Sequence, residues 1–343
     1  MIAYRPPEVV RSIPVIDLAP ARLNPSNDRR AAGRAAVARQ IHEACVGTGF
    51  FLVANHGVSA ALVAAQFEWS RRFFDLPLAE RLALHMSLSP TRAGYEPVGG
   101  QTLDSDTPPD LKESFYVNNE LPETHHYVQA GVRGYGGNLW PALPGFKEQM
   151  LAYYTEVEAL ARDLMQLLAL SLELEEHALD RFFGCAMGTL RLIKYPPHPA
   201  VAESNQLGAG AHTDWGGITI LAQDDIGGLE VQNAADEWVY APPVPGTFVI
   251  NLGDLVQRWT NNIYRSNLHR VLNNRTAGRD RYSIPFFFTP DHEARIECLP
   301  SCTDADHPAQ FAPCTAGEHM QEMFRRSYGD LAGGKPPNQR ATS

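Results

Sequence analysis

Three residues in the second half of the chain have types and spacing that suit a metal ion. His212 and Asp214 stand two apart in the run Gly210-Ala211-His212-Thr213-Asp214-Trp215. On an extended strand alternate residues share a face, so an imidazole nitrogen and a carboxylate oxygen would project into one space. By itself the pair is weak, and its plain alternative is a surface histidine beside a turn aspartate. His269 opens a later apolar segment, Asn267-Leu268-His269-Arg270-Val271, and alone it reads more readily as a core histidine. Together the three change that weighting. Two imidazoles and one carboxylate leave half of an octahedral ion open, which suits Fe(II) chemistry. A closed structural zinc site would use four ligands and usually thiolates.

Beyond His269, Arg281 and Ser283 are again two apart, followed by Ile284, Pro285, Phe286, Phe287 and Phe288. A guanidinium among such neighbours is costly to bury without an anion. It grips a carboxylate with two parallel N–H groups, and a nearby hydroxyl adds a third bond. The alternative is an internal salt bridge to Asp or Glu. Tyr195, just before Pro196-Pro197, ends an apolar strand and offers a phenol to the same anion; a core tyrosine is the other reading. Asn251, in Val249-Ile250-Asn251-Leu252-Gly253-Asp254, could face the metal pocket but is assigned no role. Asp224 and Asp225 read as a turn. Cys298 and Cys302, with His292 or His307 nearby, lack the second spaced pair of a zinc site and are taken as incidental.

These side chains need elements to aim them. From Gly188 onward the apolar runs are short and bounded by Gly, Pro, Asn and Asp. Residues 190–195, 218–222, 229–232, 238–240, 247–252, 269–272 and 281–288 read as strands, a spacing that suggests a jelly-roll sandwich or barrel. The first half reads mainly as helix. Ser26 or Asn27 can cap a helix over residues 28–45, with Ala32, Ala35, Ala36, Ile41 and Ala44 as its apolar stripe. A second helix covers residues 60–74. The longest starts after Pro144 and carries Phe146, Met150, Tyr154, Val157, Leu160, Leu164, Leu167 and Leu168 on one face. Residues 13–17 read as an edge strand, because Pro14 has no N–H for a central ladder, and residues 50–53 as a buried strand. The fold expected is α+β: a β core with flanking helices drawn mainly from the N-terminal half. Residues 333–343 are polar and expected to fray.

Bulk properties narrow the function. The chain has 343 residues, 44% hydrophobic and 20% charged, which is enough apolar material for a large core. Its formal net charge of −10, with no Lys/Arg-rich run, argues against nucleic acid and acidic membrane surfaces as partners. No segment has the apolar length of a bilayer span. Five scattered cysteines fit a reducing cytoplasm better than a disulfide framework.

The ordered set of His-x-Asp, distal His and Arg-x-Ser resembles the isopenicillin N synthase-like family of 2-oxoglutarate/Fe(II)-dependent dioxygenases. Flanking stretches add to the likeness: Ile13-Pro14-Val15-Ile16-Asp17, Gly49-Phe50-Phe51-Leu52-Val53-Ala54-Asn55-His56-Gly57-Val58, Pro109-Asp110-Leu111-Lys112-Glu113-Ser114-Phe115 and Asn138-Leu139-Trp140-Pro141. The resemblance implies a double-stranded β-helix (jelly-roll) core. It implies iron held by His212, Asp214 and His269, and 2-oxoglutarate held by Arg281, Ser283 and Tyr195. It also implies O₂ as co-reactant, with succinate and CO₂ released as a small-molecule substrate is hydroxylated, desaturated or cyclised. The substrate expected is a secondary or amino-acid-derived metabolite, and His56 is taken as structural. Residues 1–343 are expected to be one catalytic unit, monomeric or a small homo-oligomer, with a flanking region at 10–130 and the jelly-roll core at 185–292. Substrate contacts are expected from the irregular stretch 92–116 and the barrel mouth, with Tyr95, Phe115, Trp215, Phe286 and Phe288 as candidates. Three rivals stay open: an oxidase like isopenicillin N synthase that uses no 2-oxoglutarate, a zinc hydrolase on the same ligands, and a non-catalytic metabolite-binding protein.

Overall fold

The computed structural model describes residues 9–22, 27–104, 107–197, 206–272 and 278–328. Ser26 and residues 333–343 lie outside them. The helices are α1 (Ala19–Arg22), α2 (Asn27–Gly47), α3 (Ala60–Phe74), α4 (Leu78–Leu82), α5 (His126–Gln129), α6 (Phe146–Ser171), α7 (Asp254–Trp259) and α8 (Ala316–Tyr328). The strands are β1 (Val15–Asp17), β2 (Phe50–Ala54), β3 (Gly94–Glu96), β4 (Glu113–Asn118), β5 (Met187–Tyr195), β6 (Ala209–His212) and β7 (Ile218–Gln223). They continue with β8 (Leu229–Gln232), β9 (Trp238–Tyr240), β10 (Thr247–Leu252), β11 (His269–Val271), β12 (Arg281–Thr289), β13 (Arg295–Ile296) and β14 (Cys314–Thr315).

Two sheets form the β core. The larger runs β1-β2-β10-β7-β12-β5-β4-β3 and the smaller β6-β11-β8-β9. Their inner faces share an apolar cluster: Phe50, Leu52, Ile193, Tyr195 and Val249 from one sheet meet Ala209, Leu229, Val231, Val239 and Val271 from the other. This is the α+β architecture of a double-stranded β-helix with helices outside it. The outer face of the larger sheet packs on the helices, and the α6 residues that recur at steps of three and four are buried there as expected. β1 is an edge strand, parallel to β2, and the Pro14 carbonyl accepts from the Leu52 N–H at 2.8 Å.

Four features differ from the sequence expectation. The stripe of α2 is shifted: Arg34, Val37, Ala38, Ile41, Ala44 and Cys45 are buried, whereas Ala32 and Ala35 are exposed. Small alanines contribute little to burial, so the valine and isoleucine fix which side turns inward. The stretch 92–116 is not simply a loop, because β3 and β4 lie within or overlap it and extend the larger sheet beyond β5. The N-terminal half therefore supplies four strands as well as helices. Finally, α8 closes the described chain with a helix that too few apolar residues had signalled. Among the described residues no helix is long and apolar enough to cross a membrane.

Candidate metal centre

His212 and His269 are direct cross-strand partners on β6 and β11, with ring centroids 4.2 Å apart. Opposed positions on one sheet face bring side chains within contact distance. Each ring is tied by its Nδ1, His212 to the Gly210 carbonyl at 2.8 Å and His269 to the Asn267 carbonyl at 3.3 Å. A carbonyl only accepts, so Nδ1 carries the proton and the Nε2 lone pair is left for a metal.

Asp214 is not on a strand, as the two-residue spacing had suggested. It follows the end of β6 in a turn pinned to the start of α7, where the Asp254 N–H donates to the Asp214 carbonyl at 2.8 Å and the Gly253 N–H to the Gly217 carbonyl at 2.7 Å. The turn needs glycine: a Cβ on Gly253 would lie 2.3 Å from the Gly216 carbonyl oxygen. The turn brings Asp214 Oδ1 to 4.0 Å from His212 Nε2 and 3.8 Å from His269 Nε2. Its other oxygen, Oδ2, accepts from Thr219 Oγ1 at 2.5 Å and Asn251 Nδ2 at 2.6 Å. The three ligand atoms lie within 4.8 Å of one another, and no other His/Cys/Asp/Glu group of three among the described residues does this.

The electrostatics match. Burial, reinforced by the charge of His269, pushes the His212 imidazole down to about 3, so it stays neutral. Burial raises the proton affinity of Asp214. The two histidines and the bonds from Thr219 and Asn251 outweigh that and hold its pKa below the usual value. A neutral His212 imidazole, the His269 ring with its Nε2 facing the same space and an ionised carboxylate form a fitting donor set for a ferrous ion.

Behind the triad, between the sheets, lies a cavity of about 60 Å³ lined by Arg281, Ser283, Tyr195, Lys112 and the triad itself. Arg281 is 1% exposed. Its Nη2 donates to Gln223 Oε1 at 3.2 Å, while Nε and Nη1 have no hydrogen-bond partner among the described residues. Its guanidinium lies 4.7 Å from the ring centroid of Tyr195, its cross-strand partner. Buried donors without acceptors are costly, so this arrangement fits an anion and accommodates the end of a dicarboxylate. Lys112 is ion-paired to Asp110, and burial pushes its ammonium down to about 8.

A second chamber, of about 150 Å³, opens on the other side of the triad. The two share Leu103, Arg191, His212, Asp214 and Phe287 in their walls. Trp215 lines this outer chamber and meets Phe324 of α8 edge-on, with centroids 5.1 Å apart. The other four expected substrate residues do not reach it. Arg281 and Ser283 point inward, so strand alternation sends Phe286 and Phe288 to the helical side, where Phe286 packs 5.0 Å from Tyr154 and Phe288 4.7 Å from Phe183. Phe115 packs on Phe73 at 4.4 Å, and Tyr95 donates from its hydroxyl to Glu113 Oε2 at 2.6 Å. Tyr116 and Asn118, one and three residues beyond Phe115 on β4, line the chamber instead.

Thr219 and Asn251 were not assigned by the sequence. They are cross-strand partners on β7 and β10, and their only signal is a polar residue at an inward position of an apolar strand. His56 packs at a tilt with its ring centroid 4.3 Å from that of Phe248 and accepts from the Val58 N–H at 3.2 Å. Asp224 accepts from the Tyr282 N–H, as a turn residue would.

Comparison with known proteins agrees with this geometry. Residues 13–143 match the family model described as the non-haem dioxygenase in morphine synthesis N-terminal region, and residues 186–290 match the 2OG-Fe(II) oxygenase superfamily. The chain is 39% identical over 306 residues to the 2-oxoglutarate-Fe(II) type oxidoreductase hxnY of Emericella nidulans, covering 87% of this chain and 86% of that one. It is 38% identical over 297 residues to the 2-oxoglutarate-dependent dioxygenase caaD of Aspergillus niger, covering 85% and 86%. The crystal structure of a full-length Neurospora crassa protein in complex with alpha-KG superposes with a TM-score of 0.80 at 27% identity, covering 92% of this chain and 96% of that one.

Proposed function

Because the chain belongs to the 2OG-Fe(II) oxygenase superfamily, with the non-haem dioxygenase region ahead of the core, we propose that His212, Asp214 and His269 hold its iron and that Arg281, Ser283 and Tyr195 hold the far carboxylate of 2-oxoglutarate. The chain is a 2-oxoglutarate- and Fe(II)-dependent dioxygenase that oxidises small molecules. When bound, the ferrous ion would activate O₂, the oxidant, with 2-oxoglutarate supplying two of the four electrons and leaving as succinate and CO₂.

The protein's own work is placement. His212 and His269 offer Nε2 from one sheet and Asp214 offers Oδ1 from the turn, so these three residues would hold the ion from one side. Asn251 and Thr219 hold Asp214 by its second oxygen. Arg281 fixes the depth at which 2-oxoglutarate sits. The apolar walls between the sheets keep water from the oxidant. Trp215 contributes to the wall facing the substrate. The observation that carries this reading is the cross-strand pair of imidazoles with Asp214 Oδ1 within 4.0 Å of both free nitrogens.

We further propose one catalytic unit over residues 1–343, with 10–130 as the flanking region and 185–292 as the core. It would work in the cytoplasm as a monomer or small homo-oligomer on a secondary or amino-acid-derived metabolite. Anaerobic loading with Fe(II) and 2-oxoglutarate, then O₂ and a metabolite library, tests the reading. A product heavier by one oxygen or lighter by two hydrogens should appear with one succinate per turnover. Product without succinate would instead favour the 2-oxoglutarate-independent oxidase.

A further inference from the structure

The outer chamber has a charge pattern opposite to that of the chain. The formal net charge of the protein is −10. Yet Arg92, Arg133 and Arg191 line this chamber, and among its described lining residues the only carboxylate is Asp214, a member of the triad. Arg191 is partly balanced by Glu96, so the walls carry an excess of guanidinium groups rather than a single sign, and such an excess raises the local concentration of anionic ligands.

Arg191 is the innermost of the three. It lies on the inward face of β5 with Ile193 and Tyr195, is 7% exposed, and lines both chambers beside the triad. Its Nη2 donates to Glu96 Oε2 and to Gln101 Oε1, both at 3.1 Å, and its guanidinium lies 4.5 Å from the ring centroid of Tyr116. A guanidinium fixed in this way loses little side-chain freedom when a ligand arrives. Glu96 offsets part of its charge, which favours a monoanion over a phosphate dianion. The remaining walls include Met86, Met187, Met320, Phe287 and Phe324. Thioethers adapt to irregular apolar shapes, and a cavity of roughly 150 Å³ holds a single ring.

Resting on the reading of this chamber as the substrate site, we propose that the primary substrate is a small carboxylic acid with an apolar body about one ring in size. Arg191 receives its carboxylate beside the metal centre, and Arg92 and Arg133 draw it through the mouth. Arg191 is thereby a specificity-determining residue.

The test uses matched pairs of near-equal shape: phenylacetate and phenylacetamide, 3-phenylpropionate and its amide, cyclohexanecarboxylate and its amide. Binding to the anaerobic Fe(II)/2-oxoglutarate-loaded protein is measured by calorimetry, and succinate release is followed after O₂ is added. At least one acid should bind about tenfold or more tightly than its amide, in line with one charge-assisted contact. Arg191→Met should bring that ratio to within about twofold, and Arg191→Lys should retain part of it by keeping the charge without the fork. Arg133→Met, at the mouth, covers the case in which Arg191→Met fails to fold; it should weaken the salt dependence of acid binding. Equal binding of acids and amides by the wild type, including no binding of either, overturns the proposal. So does an acid preference that survives Arg191→Met. Failure of the underlying iron and 2-oxoglutarate reading looks different: 2-oxoglutarate would then not bind to the Fe(II)-loaded wild type at all, whatever the probe.

Discussion

Asp214 has two carboxylate oxygens, and the fold uses them differently. Oδ2 is occupied by Thr219 and Asn251, which leaves Oδ1 toward His212 and His269. The two histidines follow the same rule, with Nδ1 tied to a carbonyl and Nε2 left for the ion. Such outer partners commonly govern metal affinity by about 10–100-fold. Asn251→Ala should therefore weaken Fe(II) binding by about that factor, measured by anaerobic titration against a competing chelator. An unchanged affinity would show that Thr219 alone orients the carboxylate. The residues proposed to bear the chemistry stood out in the sequence because imidazole, carboxylate and guanidinium are uncommon in apolar strand sequence. Thr219 did not, and Asn251 did only as a residue that could face the pocket, because threonine and asparagine are ordinary in strands and turns, and only the register of β7 against β10 makes them neighbours.

At the scale of elements, β12 shows both the strength and the limit of reading alternation. Period two placed Arg281 and Ser283 on one face, as the structure has them; carried five residues further it would also have sent Phe286 and Phe288 to the other. Aromatic content alone made them substrate candidates, whereas the structure buries both under the helices. Phe286→Ala should accordingly cost stability, about 3–5 kcal/mol by the cavity it leaves. In the fraction that folds, it should leave the KM for 2-oxoglutarate within about twofold of wild type. Denaturant unfolding and steady-state kinetics check the two halves; a large KM change without loss of stability would restore Phe286 to the site. The long helices and most core strands were legible from periodicity. β3 and β4 were not, because three- and six-residue strands amid turn residues carry almost no periodic signal. α8, polar on most of its surface, becomes recognisable only through what Met320 and Phe324 cover.

At the scale of the whole molecule, two sheets converge so that one cluster of ligands stands between two chambers. The inner one ends on Arg281, and the outer one is walled by Trp215, Arg191 and α8. The sequence indicated a double-layered β core but not this partition, since strand order and the relative tilt of the sheets arise from long-range pairing. The proposed function depends on one ion being shared by residues from β6, the turn that follows it and β11. The most direct measurement is the stoichiometry and affinity of Fe(II) bound anaerobically by the wild type and by Asp214→Ala. The account predicts one ion per chain for the wild type and loss of that ion in the variant, with the fold retained by circular dichroism. One equivalent bound equally tightly by a folded Asp214→Ala protein would contradict it.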